Sequence, residues 1–274
     1  MNPTLIFLDI DGTLTEPGSN TPPASALEAV RRARSRGHKV ALCSGRNYGM
    51  LSPLLQYGFD AVIASAGGYI EYGGKLVYDC PMTSAQQKLA LETFARSGVF
   101  RTVESRDGSY TDEAFKAFLA RSQGENSELL RWRTQLEANL NIRPMAEYQG
   151  EPIYKIVFMS PSEAALEEPK RLLGGEFDFC IQGADACGIV NGELINKQFN
   201  KGTAVRRLCE AAGIPLADTV AFGDSMNDLE MMQTAALAIC MGNGSEALKA
   251  VADEICPPVG EDGLYKAFAA HGLI

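Results

Sequence analysis

Two aspartates one residue apart close an apolar run, Leu5-Ile6-Phe7-Leu8-Asp9-Ile10-Asp11-Gly12-Thr13-Leu14. Charge beside a buried strand is costly unless it is matched, so paired carboxylates there need a partner. A hard cation with oxygen ligands meets that need. With such a cation present, one carboxylate can attack a phosphoryl centre while the other moves a proton. Taken alone, Asp-x-Asp-Gly also describes a turn. It is not a helix–loop–helix calcium loop, because a strand-like run precedes it and Thr13 stands where an acid is needed.

Three further places offer matching chemistry. Ser44-Gly45-Arg46 follows the run Lys39 to Cys43, and Gly223-Asp224-Ser225-Met226-Asn227-Asp228 follows Thr219 to Phe222. Lys201-Gly202 precedes a helical pattern from Thr203. Each alone is ordinary: a loop, a solvated lysine, a turn with a helix cap. Together, in this order, they are the parts of a phosphoryl-transfer site, where attack on an anionic phosphate requires a metal and a lysine to offset charge. Asp9 and Asp224 suit Mg2+, which takes few protein carboxylates and keeps water and phosphate oxygens. Ser44 can donate to a non-bridging oxygen, and Lys201 can bridge phosphate and nucleophile. Asp11 can protonate the leaving oxygen and then activate water.

The elements that must hold these residues alternate. Strand-like runs at 5–8, 39–43 and 61–65 are separated by helical patterns at 24–36 and 48–57, and a hairpin follows at 69–72 and 75–78 around Gly73-Gly74. After Pro81 the pattern is mixed. Helices are expected at 84–97, 112–120, 127–139 and 162–173, and strands at 99–104, 154–159, 177–182 and 187–190. Alternation then resumes, with helices at 203–212, 227–233, 245–251 and one capped by Asp262 through 270, and strands at 219–222 and 237–241. This pattern predicts an α/β fold: a doubly wound parallel sheet formed by 1–80 and 188–274, interrupted by an α+β domain at 81–187. Such sheets bind ligands beyond the carboxyl ends of their strands.

Composition narrows the function. The 274 residues are 46% hydrophobic with formal net charge −9, a poor match for nucleic acid or an anionic membrane. Seven cysteines, an odd number without Cys-x-x-Cys, fit free thiols in a reducing compartment. The first residues lack a basic stretch followed by a long apolar run, and no segment is apolar over bilayer length, so a soluble cytoplasmic protein is expected. Oligomeric state leaves no mark in the sequence. Gly242-Asn243-Gly244-Ser245-Glu246-Ala247 matches a relaxed dinucleotide motif, but no later strand ends in the required acid, and a tight turn near the active face is expected instead. His38 and His271 give no triad, and Trp132 sits between two arginines on a helical face.

The four motifs, Asp9-Ile10-Asp11-Gly12-Thr13-Leu14, Ser44-Gly45-Arg46, Lys201-Gly202 and Gly223-Asp224-Ser225-Met226-Asn227-Asp228, resemble those of the haloacid dehalogenase superfamily, in particular its Cof-type, sugar-phosphatase-like group. The inserted region resembles that group's α+β cap. The resemblance implies Asp9 as nucleophile, through a phospho-aspartate, and Asp11 as general acid/base that also binds Mg2+ through its main-chain carbonyl. It implies that Ser44 and Lys201 hold the phosphoryl group, with Gly45, Arg46 and Asn227 on the substrate side. It implies that Asp224 binds the metal directly, with Asp228 supporting it directly or through water. Lys197 is a neighbour of the third motif, but Lys201 has the matching glycine. Ala66 stands where many relatives carry Asn. The implied function is a magnesium-dependent phosphatase of small phosphorylated metabolites, sugar or cofactor phosphates. The alternatives are a phosphomannomutase-like phosphomutase, a phosphatase of phosphorylated disaccharides or glycosyl-glycerates, and a non-catalytic metabolite-binding module. Glu104, Arg106, Asp107 and Lys155 are candidates for the cap face.

Overall fold

Four apolar residues with no polar side chain among them can be buried on both faces at once, and β1 (Leu5–Leu8) is buried throughout. The computed structural model describes residues 3–113, 142–184 and 189–274. After β1 come α1 (Ala24–Ser35), β2 (Lys39–Cys43), α2 (Ser52–Leu55), β3 (Ala61–Ala64), and the hairpin β4 (Tyr69–Tyr72) and β5 (Lys75–Asp79). The next group is α3 (Ser84–Arg96), β6 (Phe100–Ser105), β7 (Ser109–Thr111), β8 (Ile142–Pro144), β9 (Ile153–Ser160), α4 (Glu167–Leu173), β10 (Phe177–Ala184) and β11 (Val190–Asn196). The chain closes with α5 (Lys201–Ala212), β12 (Thr219–Gly223), α6 (Leu229–Thr234), β13 (Leu237–Met241), α7 (Glu246–Lys249), β14 (Glu254–Cys256) and α8 (Gly263–Ala270).

Eight strands form one sheet in the order β14-β13-β12-β1-β2-β3-β4-β5, parallel from β14 to β3 and antiparallel beyond. Successive residues of β1 point to opposite faces. Ile6 and Leu8 join a cluster with Val30 of α1 and Phe268 of α8, while Leu5 and Phe7 join another with Val205 of α5 and Met231 of α6. Helices therefore cover both faces, as a doubly wound sheet requires, and each such side chain stabilises the fold by about 1.5–3 kcal/mol. The strand order reverses at β1, between early and late parts of the chain. Ligands in such sheets sit at that switch point, beyond the carboxyl ends.

Six strands form a second, mostly antiparallel sheet, β10-β11-β9-β6-β7-β8. Its apolar face carries Val103, Ile156, Phe158 and Leu194 and is covered by Phe94 of α3 and Leu173 of α4. Its other face carries Thr102, Glu104, Lys155 and Glu193. Several bonds join the two sheets' domains: Gly49 N–H donates to Arg106 O (2.8 Å), Asn47 Nδ2 to Ser109 Oγ (3.0 Å), and the Tyr154 hydroxyl to Asp79.

Several expectations are corrected. The second sheet runs on to Asn196, eight residues beyond the boundary expected at 188, because β11 pairs with β9 and β10. The helix expected at 48–57 is a 3-10 turn (Gly49–Leu51) followed by the four-residue α2. That expected at 162–173 begins regular α geometry only at Glu167, which puts Pro169 in the first turn, where its missing N–H costs nothing. The last helix follows Asp262, but Asp262 is left-handed (φ 60°) and makes no side-chain cap. The short strands β7, β8 and β14 go unpredicted; three residues are too few to show a period. The helices expected at 112–120 and 127–139, Trp132 and Cys187 lie outside the described residues, apart from 112–113. The six described cysteines are free thiols, and no described helix is long and apolar enough to cross a membrane.

Candidate active site

Register brings the motifs together. Leu8 pairs with Leu42 of β2 on one side and Phe222 of β12 on the other. The next residues, Asp9, Cys43-Ser44 and Gly223-Asp224, therefore leave the sheet side by side. Asp9 N–H donates to Phe222 O (3.0 Å) and Ser44 N–H to Ile63 O (2.9 Å), which carries the ladders one residue past the strands.

The lysine arrives from the other end of the chain. Asn200 and Thr203 form a reciprocal cap that starts α5 at Lys201, two residues earlier than the sequence pattern indicates. Lys201 thus occupies the first helical turn, buried, with Nζ 2.6 Å from Asp9 Oδ1 and 2.6 Å from Asp228 Oδ1. Gly202 makes this possible: a Cβ there would stand 2.5 Å from Glu230 O, so only glycine lets α6 lie against this turn. Asp228 is held at its other oxygen by the N–H groups of Asp224 (3.1 Å) and Ser225 (3.3 Å). Both its oxygens are engaged, and in this arrangement it orients Lys201 and the Asp224 loop.

Asp224 faces the same space. Ligand oxygens of Asp9, Asp224 and Asp228 lie within 4.8 Å of one another. Gly12, at φ 83°, gives Asp224 its room, since a Cβ there would lie 2.3 Å from Asp224 Oδ2. Asn243 fixes the turn by donating to Gly12 O (2.7 Å), and Ser245 N–H donates to Asp224 O (2.8 Å). The glycine-rich segment at 242–247 is therefore a buttress of this site, as the expected turn near the active face.

Three carboxylates around one ammonium leave negative charge unbalanced. Burial pushes the Asp9 carboxyl up to about 7, aided by Asp228 and opposed by Lys201. Burial, with Asp9 and Asp228 nearby, pushes Asp224 up to about 9. Burial disfavours charge on Lys201, but Asp228 and Asp9 outweigh it and hold the ammonium well above its ordinary value. Asp224 Oδ1 is buried without a hydrogen-bond partner among the described residues. An orphaned carboxylate oxygen beside two others is what a divalent cation satisfies, so the residues fit Mg2+.

Asp11 and Arg46 form a second pair. Arg46 donates from Nε to Asp11 Oδ2 (2.9 Å) and from Nη2 to Asp11 Oδ1 (2.6 Å), and also holds Asn20 Oδ1 (2.6 Å). Arg46 is expected on the substrate side, yet its guanidinium is only 1% exposed and is directed at Asp11; it orients the carboxylate instead. Ser44 Oγ accepts from Arg46 N–H (3.1 Å), which leaves its own proton for donation. Gly45, Asn227 and Lys201 line a cavity of about 420 Å³ whose roof is β10 and β11. Asn227 Oδ1 accepts from Ser225 Oγ (2.8 Å). Of the cap candidates, Lys155 and Glu104 lie buried 3.5 Å apart, while Arg106 and Asp107 form an exposed pair. Asn20 escapes sequence reasoning, as does the bond from Asn243 to Gly12 O, because a loop asparagine gives no signal of what it will hold. Lys197 lies apart from Asp9, 3.8 Å from Asp178 at the rim.

The sequence and the fold also match known proteins. Residues 6–268 match the family model of haloacid dehalogenase-like hydrolases. Phosphatase YwpJ of Bacillus subtilis is 27% identical, with 95% of this chain and 96% of that protein covered. An HMP-PP phosphatase of Yersinia pestis is 25% identical over 89% of this chain and 86% of its own. Among solved structures, a sugar phosphatase of HAD subclass IIB superposes with TM-score 0.76 over 99% of this chain and 100% of that one, at 22% identity, a likeness of fold. The chain belongs to the haloacid dehalogenase-like hydrolases, as a Cof-type enzyme of the phosphatase kind.

Proposed function

We propose that this protein hydrolyses small phosphorylated metabolites with Mg2+ bound, through a phospho-aspartate at Asp9. The observation that carries this is the pinned nucleophile: Lys201 takes Asp9 Oδ1, and Oδ2 has no hydrogen bond among the described residues. Oδ2 is the oxygen that attacks phosphorus, as the bond to the leaving oxygen breaks. Lys201 also faces the incoming phosphoryl group and offsets its charge. Ser44 donates its proton to a non-bridging oxygen. Asp11, turned by Arg46, gives its proton to the leaving oxygen after one of its oxygens leaves the guanidinium. It then takes a proton from the water that cleaves the acyl phosphate. Asp9, Asp224 and the Asp11 carbonyl would hold Mg2+, with Asp228 behind them. When bound, the cation supplies neutralisation of phosphoryl and carboxylate charge. The cap sheet excludes bulk water from this space.

Sugar or cofactor phosphates fit the size of the cavity, and the HMP-PP and sugar phosphatases among similar proteins support that class. The test is phosphate release from a panel of esters with Mg2+ and with excess chelator. Release with Mg2+, none in chelator and no isomer formed is expected. Full turnover in chelator refutes the metal's part, and isomer without phosphate indicates a mutase.

A further inference from the structure

We propose that Glu193 selects the leaving group by accepting a hydrogen bond from its hydroxyl or ammonium group, and that Lys155 is the positioning residue that seats Glu193. This rests on the phosphatase function above and names the substrate class it serves: phosphate esters whose leaving group carries a hydrogen-bond donor.

β11 alternates strictly: Val190, Gly192, Leu194 and Asn196 are buried, while Asn191, Glu193 and Ile195 are half-buried on the other face. That second face is the roof of the cavity, where Glu193 and Ile195 stand opposite Gly45, Lys201 and Asn227. A phosphoryl group at Lys201 therefore has its leaving group in the space that Glu193 lines. Ile181 and Met226, 43% and 44% exposed, add apolar walls. Such a cavity suits a ring or chain with an apolar face and a polar edge.

The roof's charge favours donors. Lys155, wholly buried, places Nζ 2.6 Å from Glu193 Oε1 and 3.5 Å from Glu104 Oε2. Two carboxylates thus share one ammonium. At the floor, Lys201 is committed to Asp9 and Asp228, and at the rim Lys197 lies 3.8 Å from Asp178. The cavity's cations all have acidic partners, and its roof offers acceptors. Lys155 Nζ also donates to Gly45 O (3.0 Å), in the loop that carries Ser44. One ammonium therefore fixes both the acceptor at the roof and the loop that meets the phosphoryl group, and so sets the distance between them.

The experiment measures kcat/KM of the full chain with Mg2+ for glucose 6-phosphate and glucosamine 6-phosphate, which carry donors, and for phenyl phosphate, which carries none. The quantity read is the ratio of the better donor ester to phenyl phosphate. Glu193→Ala lowers this ratio about 10- to 100-fold, the loss expected when a charged hydrogen bond to substrate is removed. Glu193→Gln keeps the shape and lowers the ratio less, in the same direction; it is decisive if the alanine variant does not fold. Lys155→Met lowers the same ratio, and adding it to Glu193→Ala lowers it no further. An unmoved ratio, equal losses on both esters, or a parent enzyme that prefers phenyl phosphate overturns the role of Glu193 and leaves the phosphatase function standing. Multiplying effects of the two variants overturn the positioning by Lys155. Absence of phosphate release from every ester by the parent protein overturns the phosphatase function and this proposal together.

Discussion

In the eight-stranded sheet the charged residues of the site stand beyond the strand ends; in the six-stranded sheet Glu104, Lys155 and Glu193 stand mid-strand, on one face. Asp9, Ser44 and Asp224 each follow a strand that ends in buried residues without charge, and the parallel register makes those strands stop together. Glu104, Lys155 and Glu193 interrupt β6, β9 and β11, and meet only because three strands pair in one register. The two sheets also balance charge differently. Around Lys201 three carboxylates converge and one oxygen is left without a hydrogen-bond partner among the described residues, an arrangement that suits a metal. Around Lys155, Glu193 and the Gly45 carbonyl accept hydrogen bonds from the ammonium, and Glu104 lies 3.5 Å away. The first cluster offers ligand oxygens to a cation; the second ties the cap strands to the loop after β2.

That contrast can be broken at its strongest point by Asp9→Asn, which removes the nucleophile while keeping the side chain's size. Turnover falls by at least about 10⁴-fold, measured as phosphate release, as for other nucleophile deletions. Parent-like turnover would remove the basis of the mechanism. Lys201→Met lowers kcat by about 10²- to 10³-fold. It also destabilises the metal-free protein by about 3–5 kcal/mol, because Asp9 and Asp228 are left buried without a counter-charge. A melting temperature equal to the parent's in chelator would contradict the charge imbalance. Gly12→Ala drives Asp224 out of place and weakens Mg2+ binding by about 10- to 100-fold, read by calorimetry. Unchanged affinity would mean that Asp224 is not a ligand.

The same imbalance has a pH signature. Asp9 and Asp224, raised to about 7 and about 9, hold protons more tightly folded than unfolded. Their contribution to stability is complete below the unfolded value of about 4 and is lost as pH rises through 7 and 9. Melting in chelator therefore falls between pH 5 and 9, and the gain on adding Mg2+ grows over that range, since the cation needs ionised ligands. A gain that shrinks with pH would count against these ligands. The smallest effect concerns the loop after β3, where Ser65 and Ala66 are left-handed at φ 50° and 57°. Ala66→Gly relieves a conformation that costs alanine about 1 kcal/mol and raises the unfolding free energy by that order. A loss of stability would show that the alanine methyl contributes more than its strain costs.

Legibility followed the same division. The motif after β1 is visible because two acids closing an apolar run need a reason. The start of α5 was misplaced because Asn200 and Thr203 cap each other only once folded. The resemblance puts Arg46 on the substrate side; its capture by Asp11 and Asn20 depends on a loop path that no periodicity encodes. β11 runs over Val190–Asn196 where the pattern predicts a strand at 187–190 and the core from 188, because its alternation does not say which sheet it will join.

By itself, the sequence determined the doubly wound core, three motifs at its strand ends, a fourth at a helix start, and the family, because burial periodicity and unusual charge are properties of short windows. Tertiary structure alone decided that Lys201 reaches Asp9 across 192 positions, that Asp228 serves the lysine, and that Glu193 roofs the cavity. Those facts depend on register and on close helix contact at Gly202, quantities set by packing between distant segments rather than by any one of them.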